Sequence, residues 1–156
     1  MIAVDTNVLI YAHRQETVHH SRALQQLKSL AEGDAPWGLP IFCIAEFIRI
    51  VTHLRVFTPP SDLRVALDFI DRLLESPSIR LLLPGQDYPS TFRRLCEAAK
   101  VRGNLAFDAQ IAAVCVEHGA RELITADRDF ARFEALAPQP ANSAAAMHWR
   151  KRRPPG

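Results

Sequence analysis

Between Pro77 and the pair Pro84-Gly85 lies the aliphatic stretch Ile79-Arg80-Leu81-Leu82-Leu83. Strands of parallel sheets are covered by helices on both faces, so they appear in sequence as nearly continuous apolar runs instead of alternating ones. The flanking prolines and glycine favour turns at both ends of the run. The stretch therefore predicts a strand that is buried on both faces of a parallel sheet.

Other short apolar segments also predict strands, and helical segments separate them. The strand candidates are Ile2–Val4, Trp37–Pro40 and residues 122–125. The helix candidates are residues 19–31, 41–54, a segment from 63 that is capped by Ser61-Asp62, a segment capped by Asp87, and residues 105–118, which Gly119 ends. The residues after the first strand, Asp5-Thr6-Asn7, favour turns and helix caps and predict a loop there. The alternation predicts an α/β fold: a three-layer sandwich with a mostly parallel central sheet flanked by helices.

Composition limits the class of protein. The chain has 156 residues, which fits one domain, and its 48% hydrophobic and 23% charged residues match an ordinary globular protein. No apolar run reaches the roughly 18 residues that a membrane span needs, and Asp5 interrupts the one stretch that resembles a leader. We therefore expect a soluble, cytoplasmic protein with no membrane partner. Cys43, Cys96 and Cys115 lack paired spacing, so they are predicted to be free thiols in apolar surroundings.

Charge and composition change near the end of the chain. Residues 150–153 supply four of the 19 basic side chains, and the rest of the chain has 15 basic against 17 acidic residues, a net charge of −2. This mildly acidic body gives no reason to infer a nucleic-acid partner from charge alone. The predicted organisation is one domain over residues 1–136, followed by a Pro/Ala-rich segment and a basic tail over 137–156. Residues 145–149 are a candidate for one last edge strand.

Two aspartates follow predicted strands. Asp5 follows the first strand and Asp127 follows the strand at 122–125. Taken alone, each is explained as a turn residue or helix cap. Because ligands of open α/β sheets bind beyond the carboxyl ends of the strands, however, we expect the two carboxylates to lie at the same edge.

Two more acids lie on predicted helices that are otherwise apolar. Glu46 shares one polar stripe with Arg49 and His53, so an ion pair with Arg49 three residues later is one explanation for it. Asp108 lies near the start of its helix, where the helix dipole favours a negative charge. The alternative is that both carboxylates point into a shared pocket with Asp5 and Asp127.

A shared pocket would bring four carboxylates together. Two like charges about 4 Å apart repel by roughly 4 kcal/mol at an effective dielectric constant near 20, so such a group must take up protons or bind a cation. Oxygen ligands without cysteine select hard ions, Mg²⁺ or Mn²⁺, which in proteins commonly engage phosphate oxygens. This hypothesis predicts phosphoryl transfer or phosphodiester hydrolysis by metal-activated water.

These motifs resemble those of the PIN-domain nucleases, and more closely the VapC-type ribonuclease toxins of type II toxin–antitoxin pairs. The resemblance covers roughly residues 1–136. It rests on four segments: Asp5-Thr6-Asn7-Val8-Leu9-Ile10, Glu46 in its apolar helix, Asp108-Ala109 at a helix start, and Thr125-Ala126-Asp127-Arg128-Asp129-Phe130.

The resemblance implies a site and partners. Asp5, Glu46, Asp108 and Asp127 would be catalytic residues that hold Mg²⁺ or Mn²⁺. Thr6, Asn7 and Thr125 would support them through hydrogen bonds, and Asp129 would either join them or hold the turn. The family acts on RNA, is silenced by an antitoxin protein and usually forms homodimers. No covalent intermediate with the protein is required.

Several arginines lie near the expected acidic edge, and three are candidates for binding RNA phosphates: Arg49 first, then Arg14 and Arg128. An ordinary solvated arginine is the alternative for each.

Two other functions stay open. In the first, Asp5 is the covalent nucleophile of a phosphatase, although the sequence after it, Thr6-Asn7, lacks the second aspartate that such phosphatases show. In the second, the chain is an RNA- or protein-binding module that retains the fold without catalysis.

Overall fold

A computed structural model describes residues 1–136, which contain one sheet of four strands. The strands are β1 (Ile2–Val4), β2 (Trp37–Pro40), β3 (Ile79–Leu82) and β4 (Glu122–Ile124). Their order in the sheet is β3-β2-β1-β4, and all three pairings are parallel. This arrangement confirms the predicted α/β fold with a parallel sheet. The predicted edge strand at 145–149 and the basic tail lie outside the described residues.

Within residues 1–136, six helices flank the sheet. They are α1 (Thr6–His13), α2 (His20–Glu32), α3 (Ile41–Val51), α4 (Leu63–Leu74), α5 (Tyr88–Ala99) and α6 (Leu105–Glu117). Two short 3-10 turns follow β4, at Arg128–Arg132 and Glu134–Leu136. Two predicted helix ends are confirmed: the Asp62 carboxylate caps α4 by accepting from the amides of Arg64 and Val65, and Gly119, at φ 70°, ends α6. None of the helices within residues 1–136 is long and apolar enough to cross a bilayer.

The core lies on both sides of β1 and β2 because these two strands occupy the middle of the sheet. Ala3, Val4 and every residue of β2 are buried, and so are six of the thirteen residues of α6. Gly38 in β2 allows close packing between neighbouring strands, since a Cβ there would come within 2.8 Å of the Leu82 Cδ1 atom. Cys43 and Cys115 are buried and Cys96 is partly buried, all three as free thiols.

The structure corrects three details of the sequence prediction. β3 is not buried on both faces: it is the outermost strand next to β2, Arg80 is exposed and Leu81 is 37% exposed. The residues after β1 form helix α1 instead of a loop, because α1 begins at Thr6, whose amide the Asp5 carboxylate caps. Asp87 precedes α5 without a capping side-chain hydrogen bond.

Candidate metal centre

Asp5 lies at the end of β1, in the centre of the site. Its backbone amide continues the β1–β4 pairing by donating to the Ile124 carbonyl (3.0 Å). Its carboxylate is 4% exposed. Oδ1 accepts from the Thr6 amide (2.7 Å), and Oδ2 accepts from Asn7 Nδ2 (2.9 Å) and Thr125 Oγ1 (2.6 Å). Both carboxylate oxygens are therefore fixed in direction by hydrogen bonds.

The segment after β4 is folded around these side chains. Asn7 Oδ1 accepts from the Ala126 amide (3.1 Å), while Thr125 Oγ1 accepts from the Asp127 amide (2.9 Å). Asp127 Oδ1 in turn accepts from the Asp129 amide (2.9 Å) and caps the 3-10 turn that follows. Asn7 and Thr125 thus connect the ends of β1 and β4 and orient Asp127.

Three carboxylates form a tight acidic cluster, consisting of Asp108, Asp127 and Asp129. One carboxylate oxygen from each lies within 4.8 Å of the others, and all three residues are partly buried. Asp108 comes from the first turn of α6, and the other two come from the segment after β4. Of the two roles that the sequence allows for Asp129, joining the other acids or holding the turn, its position within this cluster fits the first.

Glu46 lies on α3 and is linked to the same end of the sheet through Thr6. Its Oε2 atom accepts from Thr6 Oγ1 (2.8 Å). Its Oε1 atom is 3.8 Å from Arg49 Nη2, and the side chains of Glu46 and Arg49 are 32% and 67% exposed. The ion pair expected from the i,i+3 spacing is therefore present, but it is loose and exposed, so it contributes little to stability. The hydrogen bond from Thr6, and not this ion pair, is therefore the contact that directs Glu46 towards Asp5.

Burial and negative neighbours make Asp5 hard to ionise. The pKa of Asp5 is raised to about 7. Burial is the largest cause, the charges of Glu46 and Asp127 add to the rise, and the hydrogen bonds from Thr125 and Thr6 oppose it. Sequence reasoning missed another group here, Tyr11, which lies one helical turn after Asn7 on α1. Burial, Asp5 and then Asp127 raise the pKa of its phenol, so Tyr11 also lies within the field of the acids. Tyr11 could have been found from its spacing, because a residue four positions after Asn7 lies on the same face of a helix.

This raised pKa predicts how stability depends on pH without metal. The folded protein holds a proton on Asp5 that the unfolded chain releases near pH 3.8, so the stabilisation is fully present below about pH 4 and is lost as pH rises through about 7. The loss is at most about 4 kcal/mol. We expect the difference in unfolding free energy between the wild type and Asp5→Asn, measured by urea denaturation in EDTA, to change by up to that amount between pH 4 and 8. A constant difference over that range would contradict the raised pKa.

The three predicted RNA-binding arginines differ in their surroundings. Arg49 and Arg128 are exposed. Arg14 instead holds the chain together: its guanidinium donates to Ser61 Oγ (2.9 Å) and the Pro59 carbonyl (2.8 Å) and lies over the Phe57 ring. It also pairs with Glu16. These contacts favour a structural role for Arg14 over the predicted contact with RNA.

The donor set fits a hard divalent cation. The cluster offers only carboxylate oxygens, which suit Mg²⁺ and Mn²⁺, and no other group of three or more potential ligands occurs among residues 1–136. Three carboxylates this close repel one another unless a cation or protons compensate them. The arrangement can hold a divalent ion beside Asp5 and Glu46, at the edge of the sheet where the strands β1 and β4 end.

Comparisons with known proteins agree with this architecture. The PIN domain family model matches residues 2–136. The chain is 43% identical over 136 residues to VapC ribonuclease Mb2897 of Mycobacterium bovis, covering 87% of this chain and 92% of that protein. It is 33% identical to Ribonuclease VapC25 of Mycobacterium tuberculosis, covering 87% and 95%.

Solved structures with low sequence identity share the fold. The M. tuberculosis VapC20 structure superposes with a TM-score of 0.65 at 17% identity and covers 90% of this chain and 100% of that one. The VapBC2 structure from Rickettsia felis gives a TM-score of 0.64 at 19% identity, covering 89% and 98%. With its parallel sheet, its acidic cluster beyond the strand ends and its relatives at 43% and 33% identity, the chain belongs to the PIN domain family and to the VapC group within it.

Proposed function

We propose that this protein is a Mg²⁺- or Mn²⁺-dependent endoribonuclease that acts as the toxin of a toxin–antitoxin pair. The observation that carries the proposal is the acidic cluster of Asp108, Asp127 and Asp129 beside the buried Asp5. A cluster of carboxylates repels the phosphates of RNA, so a cation is needed before such a substrate can approach. The names of its relatives, VapC ribonuclease Mb2897 and Ribonuclease VapC25, supply the reaction class.

Each group of residues has a distinct task in this mechanism. The acidic cluster and Glu46 hold the divalent ion, which when bound activates water and neutralises negative charge on the leaving oxygen. Without the ion the pKa of Asp5 is about 7, so its carboxyl group can hold a proton near neutral pH, and a bound cation would favour release of that proton. Thr6, Asn7 and Thr125 keep the Asp5 and Glu46 oxygens in place. Arg49 and Arg128 are exposed and are candidates for contacts with substrate phosphates.

Two of the structural neighbours support further proposals about the substrate and a partner. VapC20 is described as a Sarcin-Ricin loop cleaving toxin, and the R. felis structure is a VapBC2 complex bound to promoter DNA. We propose a structured or single-stranded RNA as substrate, an antitoxin protein as partner, a homodimer as the assembly and the cytoplasm as the location. We also propose that residues 1–136 form the nuclease domain.

The phosphatase alternative conflicts with the surroundings of Asp5. A carboxylate nucleophile must present an accessible lone pair to phosphorus. The Asp5 side chain is almost completely buried, and both of its oxygens already accept hydrogen bonds. This geometry favours a carboxylate that orients other groups, and it disfavours a covalent phosphoaspartate.

The proposal is tested by incubating the purified protein with single-stranded and hairpin RNA in Mg²⁺, Mn²⁺ or EDTA. We expect cleavage with either ion, none in EDTA, and a large loss in Asp127→Asn, as followed on sequencing gels. Cleavage that persists in EDTA would refute metal dependence. A phosphate label that remains on Asp5 would support the phosphatase, and intact RNA in every condition would support a non-catalytic module.

A further inference from the structure

Phe107 is the only aromatic residue among residues 1–136 that is exposed. Its side chain is 60% exposed, whereas the other large exposed hydrophobic residues in this part of the chain are aliphatic or Met1. A single exposed apolar side chain is common on protein surfaces, but a large ring also offers a flat face on which another ring can stack. Phe107 is therefore a candidate contact site if its neighbours also favour a ligand.

The position of Phe107 links it to the acidic cluster. It lies in the first turn of α6, directly before Asp108, so the two Cα atoms are about 3.8 Å apart. The backbone is fixed there, because the Phe107 amide donates to the Asn104 carbonyl (3.1 Å). Successive side chains of a helix point about 100° apart, so the ring flanks Asp108 instead of facing a ligand that Asp108 holds.

The segment before Phe107 is positively charged and open to solvent. Lys100, Arg102, Gly103 and Asn104 are all exposed, and a Cβ added at Gly103 would meet no atom within 4 Å. Two cations that precede an exposed aromatic ring form the combination by which proteins bind single-stranded nucleic acid: the cations attract phosphates and the ring stacks on a base. The charge of this segment is complementary to RNA and opposite to that of the neighbouring cluster.

We propose that Phe107 is a stacking platform for an unpaired nucleobase of the RNA next to the scissile phosphate, with Lys100 and Arg102 holding the adjoining phosphates. This inference rests on the proposed ribonuclease function and adds a specificity element to it. Because a base inside a duplex cannot stack on a protein ring, the platform selects single-stranded or loop RNA. Any base has a face that can stack, so the platform selects unpaired structure more strongly than sequence.

The test compares four variants on a single-stranded oligoribonucleotide. Loss of one base–aromatic stack weakens binding by roughly 5- to 150-fold. We expect Phe107→Ala and Phe107→Leu to raise KM within that range with kcat changed less than about threefold, and Phe107→Trp to retain the wild-type KM. The matched control is Leu54→Ala, which truncates a 78% exposed side chain on the loop after α3 and should leave KM unchanged.

A direct binding measurement separates this inference from the proposed function. The affinity for the same RNA is measured by fluorescence anisotropy with Asp127→Asn and with the double variant that also carries Phe107→Ala. The second substitution should weaken binding of the single strand and leave binding of a duplex of equal length unchanged. Two results would overturn the stacking platform even if the wild type cleaves RNA. One is an unchanged affinity for the single strand in Phe107→Ala, and the other is an equal loss of affinity in Phe107→Leu and Phe107→Trp. A fall in molecular mass on light scattering in Phe107→Ala would also overturn it, by assigning the ring to a contact between two copies.

Discussion

Asp5→Asn should lower the rate of RNA cleavage by about 10- to 1,000-fold, because loss of a group that orients metal ligands costs about 10- to 100-fold and loss of a transition-state contact about 100- to 1,000-fold. The substitution removes a negative charge beside the acidic cluster. It also replaces one acceptor oxygen by an amide group, although that oxygen now accepts from both Asn7 Nδ2 and Thr125 Oγ1. The new amide nitrogen would then face groups that now donate to this oxygen, Asn7 Nδ2 and Thr125 Oγ1. The hydrogen bonds that orient Asp127 would loosen as a result.

The matched control for this prediction is Asp62→Asn. It makes the same chemical change at an exposed carboxylate that caps α4, and asparagine caps helices about as well as aspartate. We expect wild-type cleavage and stability from this control. Activity in Asp5→Asn within about tenfold of the wild type would show that the ordered Asp5 carboxylate is not part of the reaction.

Asp108→Asn should have opposite effects on stability without and with metal. Two charges 4.8 Å apart repel by about 1 kcal/mol in water and by about 3.5 kcal/mol at an effective dielectric constant of 20. The partly buried cluster lies between these limits, and the lost helix-dipole interaction offsets only about 0.3 to 1 kcal/mol. In EDTA the variant should therefore melt roughly 2 to 6 °C above the wild type.

The same substitution should weaken the response to Mn²⁺. At a concentration about 100 times the wild-type Kd, a bound ion stabilises the folded state by about 2.7 kcal/mol, and a tenfold weaker site would gain only about 1.4 kcal/mol. Differential scanning fluorimetry with and without Mn²⁺ measures both quantities. Asp87→Asn, at an exposed position before α5, is the control and should match the wild type. An unchanged Mn²⁺ response in Asp108→Asn would remove Asp108 from the metal site.

Much of the fold follows from the sequence, because strand and helix patterns are local. The four strands and five of the six helices could be assigned from apolar spacing and caps. Helix α1 could not, since apolar residues surround its axis and give no periodic signal: Val8, Leu9, Ile10 and Ala12 are all buried. The prediction that both faces of β3 are buried was wrong. An apolar run does not reveal whether its strand lies in the middle of the sheet or, like β3, outermost next to β2.

Prediction of the site was limited for a related reason. The acids at strand ends could be placed at one edge, since parallel strands end together. The tight grouping of Asp108 with Asp127 and Asp129 depends on the 3-10 turn after β4, which has no strong sequence signal. Arg14 looked equivalent to Arg49 in sequence, yet Ser61 and Pro59, more than 40 positions away, occupy its donors. Long-range contacts of this kind cannot be inferred from one chain's local pattern.

The hydrogen bonds that join Asp5 and Asn7 to Thr125 and Ala126 span 118 to 120 positions of the chain. A nascent chain carries Asp5 and Glu46 early in synthesis, but it cannot complete this centre until β4 and the residues after it, up to Asp129, have left the ribosome. Contacts of such high sequence separation form late, after the costly closure of a long loop. A product truncated before Thr125 would lack the side chains that fix Asp5 and Asp127, so under the proposed function we expect it to be inactive.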